Sequence, residues 1–243
     1  MKFLIENGVL LKAELTASES TIVLPSGIWL IGRRAFSHCS DLTHVTIPEG
    51  VTNIGIAAFS YCPKLSHISL PETIKYIGRS AFWECSSLET VELPNSISYV
   101  GQYAFARCTG LKKLVLPSHV KSIRKHAFHG CEHLESITLP EGLEQIEQMA
   151  FAYCTRLASL HLPATLERIG SYAFKGCKKL RRLVIPNNVS IIGNGTFEHC
   201  ECLEELSLPH SLQYLGERAF RGCKILKPPP LPLNAVKPWH SYF

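Results

Sequence analysis

Phenylalanine recurs at residues 36, 59, 82, 105, 128, 151, 174, 197 and 220, and cysteine at 39, 62, 85, 108, 131, 154, 177, 200 and 223. Proline recurs at 25, 48, 71, 94, 117, 140, 163, 186 and 209. In all three series the step from one member to the next is 23, without a slip. A fixed period of this order marks stacked repeats, in which one unit cannot bury its own apolar face and its neighbours complete a continuous interior. No linker breaks the register, so the 243 residues read as one domain. With 46% hydrophobic and 19% charged residues, the composition is neither that of a disordered chain nor that of a membrane protein. The net charge of +5 is mild and demands no polyanionic partner.

Each repeat is counted from its proline as slot 0. Apolar residues then fall at slots 3, 6, 10, 11, 14, 17, 20 and 22. Slot 17 is leucine throughout, from Leu42 to Leu226. The L-x-x-L-x-L run is the strand signature of a leucine-rich repeat. Slots 20 and 22 alternate inward, which leaves slots 19 and 21 to solvent. The next proline has no N–H to give and ends each strand at the same place. A second short extended piece runs through slots 3 and 6, and glycine closes it at slot 7 in seven of nine repeats. Arg124 and Glu147 are the exceptions, so a positive φ is not obligatory there. The Ala-Phe-x-x-Cys segment predicts a turn or two of helix. At a strand spacing of ~4.8 Å, nine coils make a rod roughly 40 Å long.

Residues 1–24 precede the first repeat. Asn7-Gly8 supplies the two positive-φ positions of a type I′ turn, so this segment predicts a hairpin cap over the open end of the core. Residues 25–231 hold the nine repeats, and 232–243 form a proline-rich cap or tail. Prolines there block strand addition at the last coil. Pro229-x-x-Pro232 offers a weaker alternative as a polyproline-II ligand. The amino terminus stops being apolar at Glu6, too early for a signal-peptide core, and no membrane span is predicted. The sequence given therefore reads as cytoplasmic; a cell-surface location would follow if it is a piece of a secreted protein. The nine in-register cysteines predict a column of buried reduced thiols rather than disulfides or a soft-metal chain.

The unit P-x-x-[VI]-x-x-I-G-x-x-A-F-x-x-C-x-x-L-x-x-[VIL]-x-[IL] resembles the BspA-like leucine-rich repeats over about residues 22–226. Phe59, Cys62, Leu65, Ile68 and Leu70 match its framework in the second repeat. The resemblance implies an α/β, mostly β, right-handed leucine-rich-repeat solenoid, a horseshoe with a parallel sheet and short helical turns. It also implies protein or surface binding, often as a cell-surface adhesin. It carries no catalytic residue across.

Residues present in every copy are scaffold, so any site must come from positions that vary. All eleven histidines lie outside the repeated apolar slots, and Asp41 is the single aspartate. No G-x-S-x-G, phosphate-binding glycine loop or H-E-x-x-H occurs. No enzyme activity, cofactor or metal site is expected. His199-Cys200-Glu201-Cys202 has metal-ligand flavour, but Cys200 belongs to the buried series. Lys175, Lys178, Lys179, Arg181 and Arg182 form an apparent basic patch. Adding 23 to four of them gives Glu198, Glu201, Glu204 and Glu205, so stacking pairs opposite charges and argues against a nucleic-acid partner. Glu89, Lys112 and Glu135 alternate in the same way.

The function expected is a non-catalytic scaffold for a protein partner, with a structural spacer or adhesin segment of a surface protein as the alternative. Candidate contact residues on slots 19 and 21 are His44, His67, Glu92, Lys113, His161 and Arg182. Small polar residues dominate these slots, with three histidines and no aromatic, a poor hot-spot composition. Tyr76 and Tyr99 share slot 5 and should stack; Tyr61 and Tyr153 share slot 13, near Trp83. The sequons Asn188-Val-Ser190 and Asn194-Gly-Thr196 matter only for a chain secreted in a glycosylating host.

Overall fold

The computed structural model of the protein describes residues 2–16 and 19–227. The segment 232–243 and the Pro229–Pro232 motif lie outside the described residues. Strands Lys2–Glu6 and Val9–Glu14 form an antiparallel hairpin, with Asn7 at φ 51° and Gly8 at φ 73° in its turn. Val9 and Leu10 then pair with Leu30 and Ile31, so the hairpin lies along the first coil.

From there the chain is a β-solenoid whose strands are parallel to their equivalents one repeat on. One ladder is built from slots 5 and 6. It runs from Leu30–Ile31 through Asn53–Ile54 and Tyr76–Ile77 to Tyr99–Val100, and resumes from Ser122–Ile123 to Tyr214–Leu215. A second ladder uses slots 19 to 21, in the groups Thr21–Val23 to His67–Ser69, Lys113–Val115 with Ser136–Thr138, and Arg182–Val184 with Glu205–Ser207. The bridges Thr90↔Lys113 and Ser159↔Arg182 extend the last two groups.

Slot 7 glycines are required by close approach, not by φ. A Cβ on Gly78 would lie 2.7 Å from the Gly55 carbonyl carbon, and one on Gly216 would overlap the Asn194 nitrogen. The first ladder lapses between Val100 and Ser122, in the step where this glycine gives way to Arg124. Glu147 also replaces this glycine, yet its amide keeps the bond to the coil below, on the Ile123 carbonyl at 2.8 Å.

The interior is a set of columns. The phenylalanines from Phe36 to Phe220 are at most 1% exposed. Their rings stack along the coil axis, with centroids 4.9 to 6.0 Å apart and interplanar angles of 2° to 13°. Phe3 from the hairpin meets Phe36 edge-on at 6.5 Å. Beside this column run the cysteines, all free thiols. Cys62 Sγ donates to the Phe36 carbonyl at 3.1 Å, and the same bond repeats up to Cys223 Sγ on the Phe197 carbonyl. Cys39, in the first coil, departs from the expected burial and is partly exposed.

The helical turns expected at Ala-Phe-x-x-Cys are absent, and no helix is present among the described residues. In the first coil the amides of Arg34, Phe36 and His38 reach the next coil, to Ile56, Ala58 and Ser60 carbonyls at 3.0, 2.8 and 2.9 Å. The intervening amides of Ala35, Ser37 and Cys39 bond back three residues, to Gly32, Arg34 and Phe36 carbonyls. Alternate amides are therefore committed along the stack and cannot make i→i−4 helical bonds. Left-handed residues achieve this alternation. Slot 9 has positive φ in every coil, from Arg34 to Arg218, and slot 13 in every coil, from His38 to Gly222.

Burial pushes the thiols of Cys85, Cys177 and Cys223 up to about 12, whereas an unfolded cysteine ionises near about 8.5. Between those values the unfolded chain loses protons that the folded chain keeps. Stability is therefore unaffected below about pH 8.5 and falls as pH rises above it, by up to about 1.4 kcal/mol per thiol per pH unit. Urea unfolding followed from neutral to alkaline pH should show this decline. A Cys85→Ala/Cys177→Ala variant should start less stable and lose less with pH; equal slopes for the two proteins would contradict the account.

Candidate functional site

The candidates on slots 19 and 21 are all exposed, and the structure joins some of them. His44 and His67 lie on adjacent strands with ring centroids 5.8 Å apart. Lys113 and Glu92 form no ion pair with each other, and Glu92 lies where the second ladder is reduced to the Thr90 bridge. His161 Nε2 lies 3.9 Å from Glu141 Oε1. Arg182 Nε lies 3.4 Å from Glu205 Oε2, a pair one repeat apart as expected. His161 and Arg182 share a concavity of about 790 Å³, lined also by Ser136, Glu141, Ser159 and Asn188. It sits where strand pairing lapses between Ser136–Thr138 and Ser159.

The two slot 5 tyrosines stack as expected. Tyr76 and Tyr99 have centroids 4.5 Å apart and planes 3° apart. The Arg124 guanidinium carbon lies 5.3 Å from the Tyr99 ring centroid. Arg124 Nη1 donates to Glu147 Oε1 at 2.8 Å, and Glu147 Oε2 accepts the Lys125 amide at 3.0 Å. The two side chains that replace glycine at slot 7 thus bond to each other and continue the tyrosine ladder.

Three cations of the basic patch, Lys175, Lys178 and Arg182, are matched by a glutamate one coil on. Lys175 meets Glu198 at 2.9 Å and Lys178 meets Glu201 at 3.5 Å. Arg181 and Glu204 meet only through backbone, the Glu204 amide donating to the Arg181 carbonyl at 2.8 Å. Lys112 pairs with Glu89 at 2.6 Å, while Glu135 turns to Arg156 at 3.9 Å. In the His199–Cys202 segment, Cys200 is buried with its thiol on the Phe174 carbonyl, and Glu201 also holds Lys224 at 2.6 Å.

A third surface, on the turns, is only partly legible from the sequence. In several coils slots 9 and 13 carry large side chains on left-handed backbone, among them His38, Tyr61, Tyr103 and His126. His38 stacks on Tyr61 at 4.6 Å, and Tyr61 meets Trp83 at 5.0 Å. Tyr103 stacks on His126 at 4.4 Å, with the Arg79 guanidinium carbon 5.7 Å from the Tyr103 centroid. Burial lowers the pKa of His126 and, with His126 and Arg107 nearby, that of His129; both then act as neutral aromatic rings at neutral pH. Tyr61, Tyr153 and Trp83 stand out in the sequence; Arg33, Arg34, Arg79 and Tyr103 do not. The signal available is a large residue at the same slot one coil away.

The family model described as BspA type leucine rich repeat region (6 copies) matches residues 14–135 and 121–232. The chain belongs to this family. Among solved structures, this BspA-type chain is similar to a leucine rich cell surface protein from Faecalibacterium prausnitzii A2-165, at 26% identity and a TM-score of 0.69 over 92% of this chain and 79% of that one. A leucine-rich repeat protein from Bacteroides ovatus shares the fold at 23% identity and a TM-score of 0.55, over 96% and 87% of the two chains. So does the pneumococcal vaccine antigen PcpA, at 18% and 0.51, over 97% and 75%. No curated protein matches the chain. No helix among the described residues is long and apolar enough to cross a membrane.

The Arg124–Glu147 pair is better shielded than the other cross-coil pairs outside the Glu198 cluster, Glu147 having a side chain only 17% exposed. An Arg124→Ala/Glu147→Ala double-mutant cycle should give a coupling of about 1 kcal/mol, and the exposed Lys64–Asp41 pair a clearly smaller one. Equal couplings from urea titrations would show that Arg124 and Glu147 are incidental surface charges.

Proposed function

We propose that this BspA-type protein is a non-catalytic scaffold that holds a protein partner on side chains that differ from coil to coil. The observation that carries the reading is the division of labour within each coil. Interior slots repeat the same residue types nine times, whereas exposed slots of the same strands change from histidine to lysine to serine. A surface of that kind is rigid, extended and locally individual, which suits recognition of a macromolecule. The concavity holding His161 and Arg182 and the Tyr76–Tyr99 ladder are the preferred contact regions, with His44, His67, Glu92 and Lys113 as flanking contacts. Likeness to a cell surface protein at 26% identity supports a second reading, an adhesin or spacer segment displayed outside the cell.

The test uses immobilised folded protein, comparing wild type with His161→Glu, Lys113→Glu and Tyr76→Ala/Tyr99→Ala. Each variant alters exposed side chains, or in Tyr99 a half-buried one, and should keep the wild-type circular dichroism. The expected result is a partner retained by wild type and lost, by about tenfold or more in affinity, from at least one variant. Equal retention by all of them would exclude these surfaces.

A further inference from the structure

The turn side of the first three coils holds a groove of about 730 Å³. Slot 8 presents Arg33, Ile56 and Arg79 in successive coils, with Arg34 beside the first. Opposite them stands the rank His38, Tyr61 and Trp83, and serines including Ser37 and Ser60, whose hydroxyl oxygens are 2.9 Å apart, lie between. No carboxylate lines this groove. Nearby acids are already engaged: Asp41 with Lys64 at 2.7 Å and Glu84 with Arg107 at 3.2 Å. Among the described residues Arg33, Arg34 and Arg79 have no ion-pair partner, although the Arg79 guanidinium also lies over the Tyr103 ring. Ile56, between two arginines, is 47% exposed.

We propose that this groove binds an acidic segment of a protein partner, with carboxylates on Arg33 and Arg79 and an apolar side chain over Ile56. Guanidinium groups take carboxylates through two parallel hydrogen bonds, and arginine with tryptophan and tyrosine is the composition of interface hot spots. Arg33 and Arg79 are two coils apart, a span of about 10 Å at the usual strand spacing. A nucleic-acid strand fits less well. The ring faces of His38 and Tyr61 cover each other, so no base can enter between them without breaking the stack. A strand charged at every residue would also set a phosphate over Ile56.

The inference rests on the scaffold reading but concerns a different face, so the two can fail separately. The probe is a fluorescein-labelled peptide of repeated Glu-Leu-Glu triplets, titrated with the full chain and followed by polarisation. Controls are the Gln-Leu-Gln peptide and a labelled oligothymidylate. Saturable binding of the acidic peptide is expected, weakened about tenfold or more by Arg33→Glu/Arg79→Glu and unchanged by Lys113→Glu. No saturable binding, equal binding of the glutamine peptide, or an affinity unmoved by the arginine changes would overturn the proposal. Tighter binding of the oligothymidylate, lost in the arginine variant, would replace it with a nucleic-acid site. If a captured partner is lost from His161→Glu and kept by Arg33→Glu/Arg79→Glu, its contact is on the strand face and the groove is not its site.

Discussion

One phenylalanine ring lying on the next is the contact on which the molecule depends. The ring spacing of 4.9 to 6.0 Å matches the rise set by hydrogen-bonded strands, so side-chain stacking and backbone pairing ask for the same geometry. No coil has an interior of its own. Removing both of a coil's neighbours would expose both faces of its ring, its thiol and its leucine, which is why the family repeats the unit many times rather than elaborating one. The thiol column reinforces the arrangement. A cysteine is small enough to sit beside the ring and polar enough to satisfy a carbonyl of the coil before it, as Cys108 does for Phe82 at 3.1 Å.

The interior could be read from residue identity alone because its slots admit few side chains. Phenylalanine at slot 11, leucine at slot 17 and glycine at slot 7 state their environments directly. The turn side could not be read in that way. Its decisive feature is left-handed backbone at slots 9 and 13, yet slot 9 is glycine only at Gly195 and elsewhere alanine, serine, tyrosine, histidine, methionine or arginine. Such residues give no sign of positive φ, and the Ala-Phe-x-x-Cys spacing then imitates a helix. The cost of left-handed backbone, about 1–2 kcal/mol for a residue with a Cβ, is offset by the inter-coil hydrogen bonds it aligns. The candidate surfaces were partly readable. Tyr76 and Tyr99 had to stack once the register was known, whereas the concavity at His161 depends on a lapse in strand pairing that no residue type announces.

Charge is distributed unevenly along the stack. Same-slot pairs occur in the first coils, as Asp41 with Lys64, and in the later ones, as Lys175 with Glu198, while Lys113, Lys125, Arg168, Lys179, Arg181 and Arg218 have no ion-pair partner among the described residues. In the first three coils Arg33, Arg34 and Arg79 find none among the described residues. Translational repetition makes self-neutralisation easy, since any two residues one repeat apart are neighbours. Arg33, Arg34 and Arg79 are set apart by sharing one groove on the turn side whose lining holds no carboxylate.

In a stack of this kind, separation in space grows by one strand spacing for every repeat along the chain. Paired spin labels on a non-cysteine handle at His44 with Ser136, with Arg182 and with Glu205 test this most directly, because these pairs are four, six and seven coils apart. The account predicts narrow distance distributions whose means increase by roughly 5 Å per coil, near 19, 29 and 34 Å before allowance for the label arms. Distances that fail to rise with coil number, or broad distributions for all three pairs, would contradict it.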